Sequence, residues 1–286
     1  MGVVRITIEL PEELWRRAEA IGVTVEEIRL DVLAAFERHI SLKEASQHIP
    51  RDAEATAVND IMRLAEYCRN TLNLSEVKIS EEYGYAHLAL CLIDAIFSIS
   101  VNYAATTNTV KRFCTFVGTS RLSSEQSQDD SPFTISDLLE LYRKYSLEFV
   151  TTTIYQNRQR TSSRNGILKS EAVLRAAEVL QHFGANTLDD FQGLAGNSAF
   201  EKSFRAIPGQ KSGISLRYLY MLTGTEDLIK PDRMILRFIE AAIGRPASID
   251  ECQPLLVQTC QILAIDFPQL TPRKLDNLIW QYQRTQ

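Results

Sequence analysis

From Asp52 to the end of the chain, apolar residues return every three or four positions, and turn signals cut this pattern into separate stretches. That repeat restricts the region to helix packed on helix. It predicts helices near 53–72, 84–100, 103–117, 135–149, 169–183, 187–194, 198–206, 212–223, 232–243, 248–264 and 271–284. Two polar stretches have no such period. "GTSRLSSEQSQDDSPF" (118–133) is rich in Ser and Asp and reads as a loop. "YQNRQRTSSRNG" (155–166) carries Arg158, Arg160 and Arg164 between two helices, where they either track a nucleic-acid backbone or solubilise a loop.

The first fifty residues are organised differently. "VVRITIEL" alternates Val4, Ile6 and Ile8 with Arg5, Thr7 and Glu9, a strand period. Pro11 opens a helix that ends near Gly22, and Thr24 with Glu27 forms a capping box for a second helix to about Ile40. A strand and two helices of this size cannot bury a core alone. Two domains follow, 1–50 and 51–286. The order in the first resembles the ribbon-helix-helix module and small antitoxin-like proteins. That resemblance implies a homodimer through residues 1–40, with Arg5, Thr7 and Glu9 facing DNA; a plain packing appendage is the other reading.

Composition narrows the function classes. The 286 residues are 45% hydrophobic and 23% charged, ordinary for a globular protein. No apolar run reaches the ~18 residues of a membrane span, and the N-terminus lacks a signal-peptide pattern. The expected place is the cytoplasm, with nucleoid association in a prokaryote. Cys68, Cys91, Cys114, Cys252 and Cys260 are scattered through apolar helical patterns and read as core thiols. His39, His48, His87 and His182 show no metal-ligand spacing, so neither metal nor cofactor is expected. The net charge of −5 is uneven: residues 151–286 hold 16 Lys/Arg against 13 Asp/Glu. A basic face suited to phosphate is compatible with that balance.

The chemistry-bearing stretch is "RAIPGQKSGISLRYLYMLTG" (205–224), followed by "KPDR" (230–233). Phe200, Phe204 and Ile207 mark a helix that stops at Pro208-Gly209; Ile214, Leu216, Leu219 and Leu222 mark the next. A glycine hairpin between two helices lets backbone approach a phosphate, and the second helix presents its first N–H groups to that anion. Gly209, Gln210, Lys211 and Gly213 are the candidate DNA-backbone contacts. Asp232 follows Pro231 at the start of another helix, where N-capping alone accounts for an aspartate.

"IPGQKSG", a helix and then "IKPDRMILRF" resemble the hairpin and downstream aspartate of the helix-hairpin-helix (HhH-GPD) base-excision DNA glycosylases, the endonuclease III-like enzymes. "LALCLIDAIFSISVNYAATTNTVKRFC" (88–114) is similar to their first core helix and the lesion-facing turn after it. The resemblance covers about 84–286. It implies a mainly α, two-lobed fold, double-stranded DNA as partner, Asp232 as catalytic carboxylate, and a lesion pocket or wedge at Ser98, Ser100, Asn102 and Tyr103. Bifunctional members carry a Schiff-base lysine at the start of the second hairpin helix. Gly213 occupies that place here, and Lys211 lies two residues early. The implied activity is therefore monofunctional: hydrolysis of an N-glycosidic bond without strand cleavage. The C-terminus has no cysteine cluster, so the iron–sulfur variant is not expected. A non-catalytic DNA-binding protein on the same scaffold, and a helical interaction protein that binds no DNA, are the readings from other classes.

Overall fold

The computed structural model describes residues 16, 24, 51–75, 84–101, 103–126 and 131–286. The chain divides into two compact units, Met1–Val58 and Asn59–Gln286. Of the N-terminal strand, helices and dimer surface expected from the sequence, only Arg16, which is helical, and Thr24 are described; the rest of that expectation lies outside the described residues.

The described residues are mainly α. The helices are α1 (Arg51–Thr71), α2 (Leu88–Phe97), α3 (Tyr103–Val117), α4 (Ile135–Lys144), α5 (Leu147–Phe149), α6 (Lys169–His182), α7 (Leu188–Gln192), α8 (Ser198–Arg205), α9 (Ile214–Leu222), α10 (Arg233–Ile243), α11 (Ile249–Leu263) and α12 (Pro272–Thr285). Short-range chemistry sets most of these ends. Thr134, Thr187 and Ser248 each close a capping box with the acidic residue three positions on, which satisfies orphan N–H groups at α4, α7 and α11. Pro272 occupies the first turn of α12 behind the Thr271 cap, where its missing N–H costs nothing.

Two expected helices are corrected. The segment 135–149 divides because Ser146 accepts the Phe149 N–H and restarts the chain as α5, which widens into a π-helical turn, Val150–Ile154. The segment 84–100 becomes helical only at Leu88, since Tyr85 is drawn into an antiparallel bridge with Leu122.

Two hydrophobic clusters fill the second unit. The first gathers α2 to α9 around α2, whose ten residues are all buried. At about 2–5 kcal/mol for each large-to-alanine change, a helix buried on every side is the most substitution-sensitive kind of element. The second cluster joins α1 to α10, α11 and α12. The chain passes from the first to the second at residues 223–232: Leu228 packs on the first, and Ile229, fully buried, belongs to the second. All five cysteines are buried free thiols, as their apolar settings suggest.

Candidate functional site

The crossing segment is held from both sides. The Ile229 N–H donates to Gln253 Oε1 (3.1 Å), and Gln253 Nε2 donates back to the Asp227 carbonyl (2.7 Å). From α12, Asp276 Oδ1 accepts the Lys230 N–H at 2.9 Å. The Asp232 N–H reaches the Lys230 carbonyl at 2.7 Å and closes a tight turn over Pro231. Proline fixes this turn and keeps Lys230 extended, so Lys230 and Asp232 are placed by backbone rather than by long flexible side chains.

Both residues line a cleft between the two clusters, with about 50 Å³ of water-accessible space. Tyr103 on α3 and Tyr218, Met221 and Leu222 on α9 line one side; Ile235 on α10 and Arg273, Asp276, Asn277 and Trp280 on α12 line the other, with Trp280 itself packed on the first cluster. Each side chain has a local reason for its position. The Tyr103 hydroxyl donates to Asp94 Oδ2 (2.8 Å), and its ring meets Trp280 edge to face at 5.4 Å. Asp94 is wholly buried on α2 and also receives the Tyr85 hydroxyl at 2.8 Å. Arg273 is oriented by Glu226, with Nη1 to Oε1 at 2.9 Å. The Arg284 guanidinium lies 4.4 Å over the Trp280 ring.

Asp232 caps α10: its Oδ1 accepts the N–H groups of Met234 (2.8 Å) and Ile235 (3.3 Å). Its Oδ2 has no hydrogen bond among the described residues, and the residue is half-buried. One oxygen is thus fixed by the helix and the other is available to the cleft. Asp276 behaves differently. Burial, helped by the Asp232 charge, pushes its carboxyl up to about 8 against the pull of the Lys230 N–H and ammonium. One cleft therefore brings together two acidic side chains in different settings, Asp232 at the cap of α10 and a buried Asp276 whose carboxyl is pushed up.

Lys230 is 8% exposed. Its Nζ donates to Ser98 Oγ at 3.0 Å and lies 3.7 Å over the Tyr218 ring. Burial drives the ammonium down from the ordinary lysine range, while Asp232, Asp94 and Asp276 pull the other way. A second buried lysine, Lys169, donates to the carbonyls of Phe97 (2.9 Å) and Ile99 (2.7 Å) and to Gln159 Oε1 (3.3 Å). Burial and the nearby Lys230 charge lower it to about 8.

Of the expected pocket residues, the structure brings Tyr103 and Asp232 together in the cleft and joins Ser98 to it through Lys230. Ser100 is exposed, in the left-handed region at φ 59, and does not line the cleft. Asn102 lies outside the described residues. Lys230 lies inside the "KPDR" stretch without being singled out there, and Arg273, Asp276 and Trp280 belong to no motif that sequence reasoning picks out. The signals were present: a lysine set between "LI" and proline, and Arg273, Asp276, Asn277 and Trp280 spaced three or four apart on one helix face.

The hairpin forms a separate surface. Gly209, Pro208 and Lys211 line a shallow groove with Lys202 and Arg205 of α8, and Glu201 is the one acid there. The glycines also have a packing role within the chain. A Cβ on Gly209 would stand 2.3 Å from the Thr161 Cβ, so the close backbone approach is to this chain's own 155–166 loop. Gly213 caps α9 at φ 74, and a Cβ there would meet the Arg205 guanidinium at 2.8 Å. Gln210 is buried, with its Oε1 unbonded, and Lys211 is exposed. In the neighbouring loop, Arg158 pairs with Glu148, and Arg160 donates to the Gly166 carbonyl at 2.6 Å, so both are committed within the chain.

Helix α9 links the two surfaces: its first residue follows the hairpin, and Tyr218, Met221 and Leu222, from its middle to its end, reach the cleft about 6–12 Å along the axis. No curated protein and no solved structure matches the chain significantly. A family model described as a domain of unknown function (DUF8548) matches residues 62–284, which include every residue lining the cleft, and the chain belongs to that family.

Proposed function

We propose that the cleft hydrolyses the N-glycosidic bond of a damaged or modified base turned out of duplex DNA, on a two-lobed helix-hairpin-helix glycosylase scaffold whose lobes are the two hydrophobic clusters. The observation that carries this reading is Asp232: one oxygen is tied to the α10 N-terminus, and the residue lines a cleft together with Tyr103, Tyr218 and Trp280. As the bond from C1′ to the base breaks, positive charge grows on the sugar, and a fixed carboxylate stabilises it and orients the incoming water. The oxygen of that water bonds to C1′, and the base leaves with its electron pair and a proton. Aromatic walls suit the faces of a planar base, and the Arg273 guanidinium, held by Glu226, suits a carbonyl edge or a phosphate. Lys202, Arg205 and Lys211 on the hairpin groove supply the sequence-independent contacts to the backbone.

The test is incubation with duplexes bearing a panel of damaged and methylated bases, followed by alkaline cleavage at abasic sites. Product that disappears in Asp232→Asn supports the reading. Asparagine caps a helix about as well as aspartate, so this change removes charge and leaves the cap. A second reading, DNA binding without catalysis, is favoured by the size of the cleft. About 50 Å³ holds a few water molecules, so a base enters only if Tyr103 and Trp280 separate. Salt-sensitive DNA binding with no product from any base selects that reading.

A further inference from the structure

Lys230 and Arg273 bring two cations to the cleft lining, and a third, Arg284, lies on Trp280. The Lys230 Nζ stands 3.7 Å over the Tyr218 ring and donates to Ser98 Oγ at 3.0 Å. The Arg284 guanidinium is 4.4 Å over Trp280, against which Tyr103 stands edge to face. Ring faces attract cations, and two of the three rings that line the cleft already carry one from this chain. The carboxyl groups around Lys230 are its counter-charges: Asp232, Asp94 and Asp276 favour its ammonium form against burial. Each is also engaged elsewhere. Asp232 Oδ1 accepts from the first turn of α10, Asp94 Oδ2 from two tyrosine hydroxyls, and Asp276 Oδ1 from the Lys230 N–H. An ammonium has three protons, and among the described residues Ser98 is the one hydrogen-bond acceptor that Nζ has. The cleft is thus rich in N–H donors and fixed positive charge, and the faces that would welcome a further cation are partly taken.

We infer that the cleft selects a neutral, carbonyl-bearing base that departs as an anion, with Lys230 as the donor that meets the departing charge, and that it disfavours cationic bases. This rests on the glycosidic reading and names the substrate class for it. When the bond from C1′ to a neutral base breaks, its electron pair goes to the ring nitrogen and spreads onto the carbonyl oxygens. A Lys230 N–H directed at such an oxygen stabilises that charge as it forms. Water gives hydroxide to C1′ and a proton to the base, so no other reactant is needed. A base alkylated to a cation behaves in reverse. Its electron pair cancels the ring charge, so it leaves neutral and gains little from a donor, and the resident ammonium repels it beforehand. Deaminated and oxidised bases belong to the first class, and N7-alkylated purines to the second.

The test uses the full chain and duplexes carrying hypoxanthine or uracil, which are neutral, or N7-methylguanine, which is cationic. Each is made as the ordinary nucleotide and with a 2′-fluorine, which destabilises positive charge at C1′ and so blocks cleavage. Excision rates are taken relative to spontaneous loss of the same base. The expected result is excision of a neutral base, whose fluorinated duplex binds about 10-fold more tightly than the fluorinated N7-methylguanine duplex. Lys230→Met, which keeps the buried aliphatic stem, should slow that excision by about 10²-fold and shrink the binding preference. Equal or tighter binding of the cationic base by the wild-type chain overturns the inference, whether or not Lys230→Met folds. A Lys230→Met chain that keeps the preference overturns it too. The two readings fail separately: a preference for the neutral duplex without excision of any base sinks the glycosylase and keeps the selection, and Asp232-dependent excision of the cationic base alone does the reverse.

Discussion

The cleft and the hairpin groove are joined by one short helix and are built on opposite principles. In the cleft, titratable groups are buried or half-buried and each is tied by a hydrogen bond. Asp276 grips the Lys230 N–H, Asp232 grips the first turn of α10, and Glu226 grips Arg273. In the groove, Lys202, Arg205 and Lys211 are presented at the surface, and the buried feature is packing, Gly209 against Thr161. Placing charge in a low-dielectric site is costly and is sustained only where geometry is fixed. On the proposed reading, chemistry belongs to the cleft, and the groove supplies sequence-independent, salt-sensitive attraction.

The contrast can be broken most decisively at Asp232. Asp232→Asn is expected to lower base excision by about 10²–10⁴-fold with thermal stability nearly unchanged, whereas Asp232→Ala also loses about 1 kcal/mol of capping. Equal activity in the asparagine variant would reduce Asp232 to a cap. The next effect is on folding. Gly209→Ala places a Cβ into Thr161 at φ 88 and is expected to cost about 1–3 kcal/mol in urea denaturation. Lys211→Ala two residues on should cost less than about 0.5 kcal/mol. A tolerated Gly209→Ala would mean that the loop does not rest on the hairpin as described.

A subtler difference concerns protons. The carboxyl of Asp276 is raised from an ordinary 3.8 to about 8, so the folded chain retains a proton that the unfolded chain releases. Its contribution to stability is whole below about 3.8 and is lost as pH rises through about 8. Denaturation at a series of pH values should show that decline, and Asp276→Asn, which keeps an acceptor for the Lys230 N–H, should flatten it. The smallest expected effect is in the groove. Removing Lys202 and Lys211 together should reduce the salt slope of DNA binding by up to about 0.9 for each phosphate no longer neutralised, while leaving stability alone.

How much of this could be read from the chain alone depends on the range of the interactions involved. Helix positions follow from local rules, so periodicity and caps such as Thr134–Asp137 and Ser248–Glu251 place them within a few residues. Asp232 was visible because a cap and a hairpin spacing both mark it. Lys230 was not, because its environment is assembled from Ser98 and Asp276, 132 and 46 residues away along the chain. The packing role of the glycines was hidden for the same reason. Gly209 has the freedom that a phosphate-binding turn needs, but only the distant Thr161 shows what occupies the space. The division of 135–149 turned on one serine whose capping bond outweighed a continuous apolar period.

The central claim, that the Asp232 carboxylate faces charge developing at a sugar carbon in the cleft, is tested most directly with a duplex carrying a cationic nitrogen sugar at an abasic position. Its affinity is compared with that of the same duplex carrying a neutral tetrahydrofuran. The expected result is tighter binding of the cation by about 10²-fold or more, with that preference lost in Asp232→Asn while the affinity for the neutral duplex stays the same. Equal affinity for the two duplexes in the wild-type chain, or a preference that survives in Asp232→Asn, would contradict it.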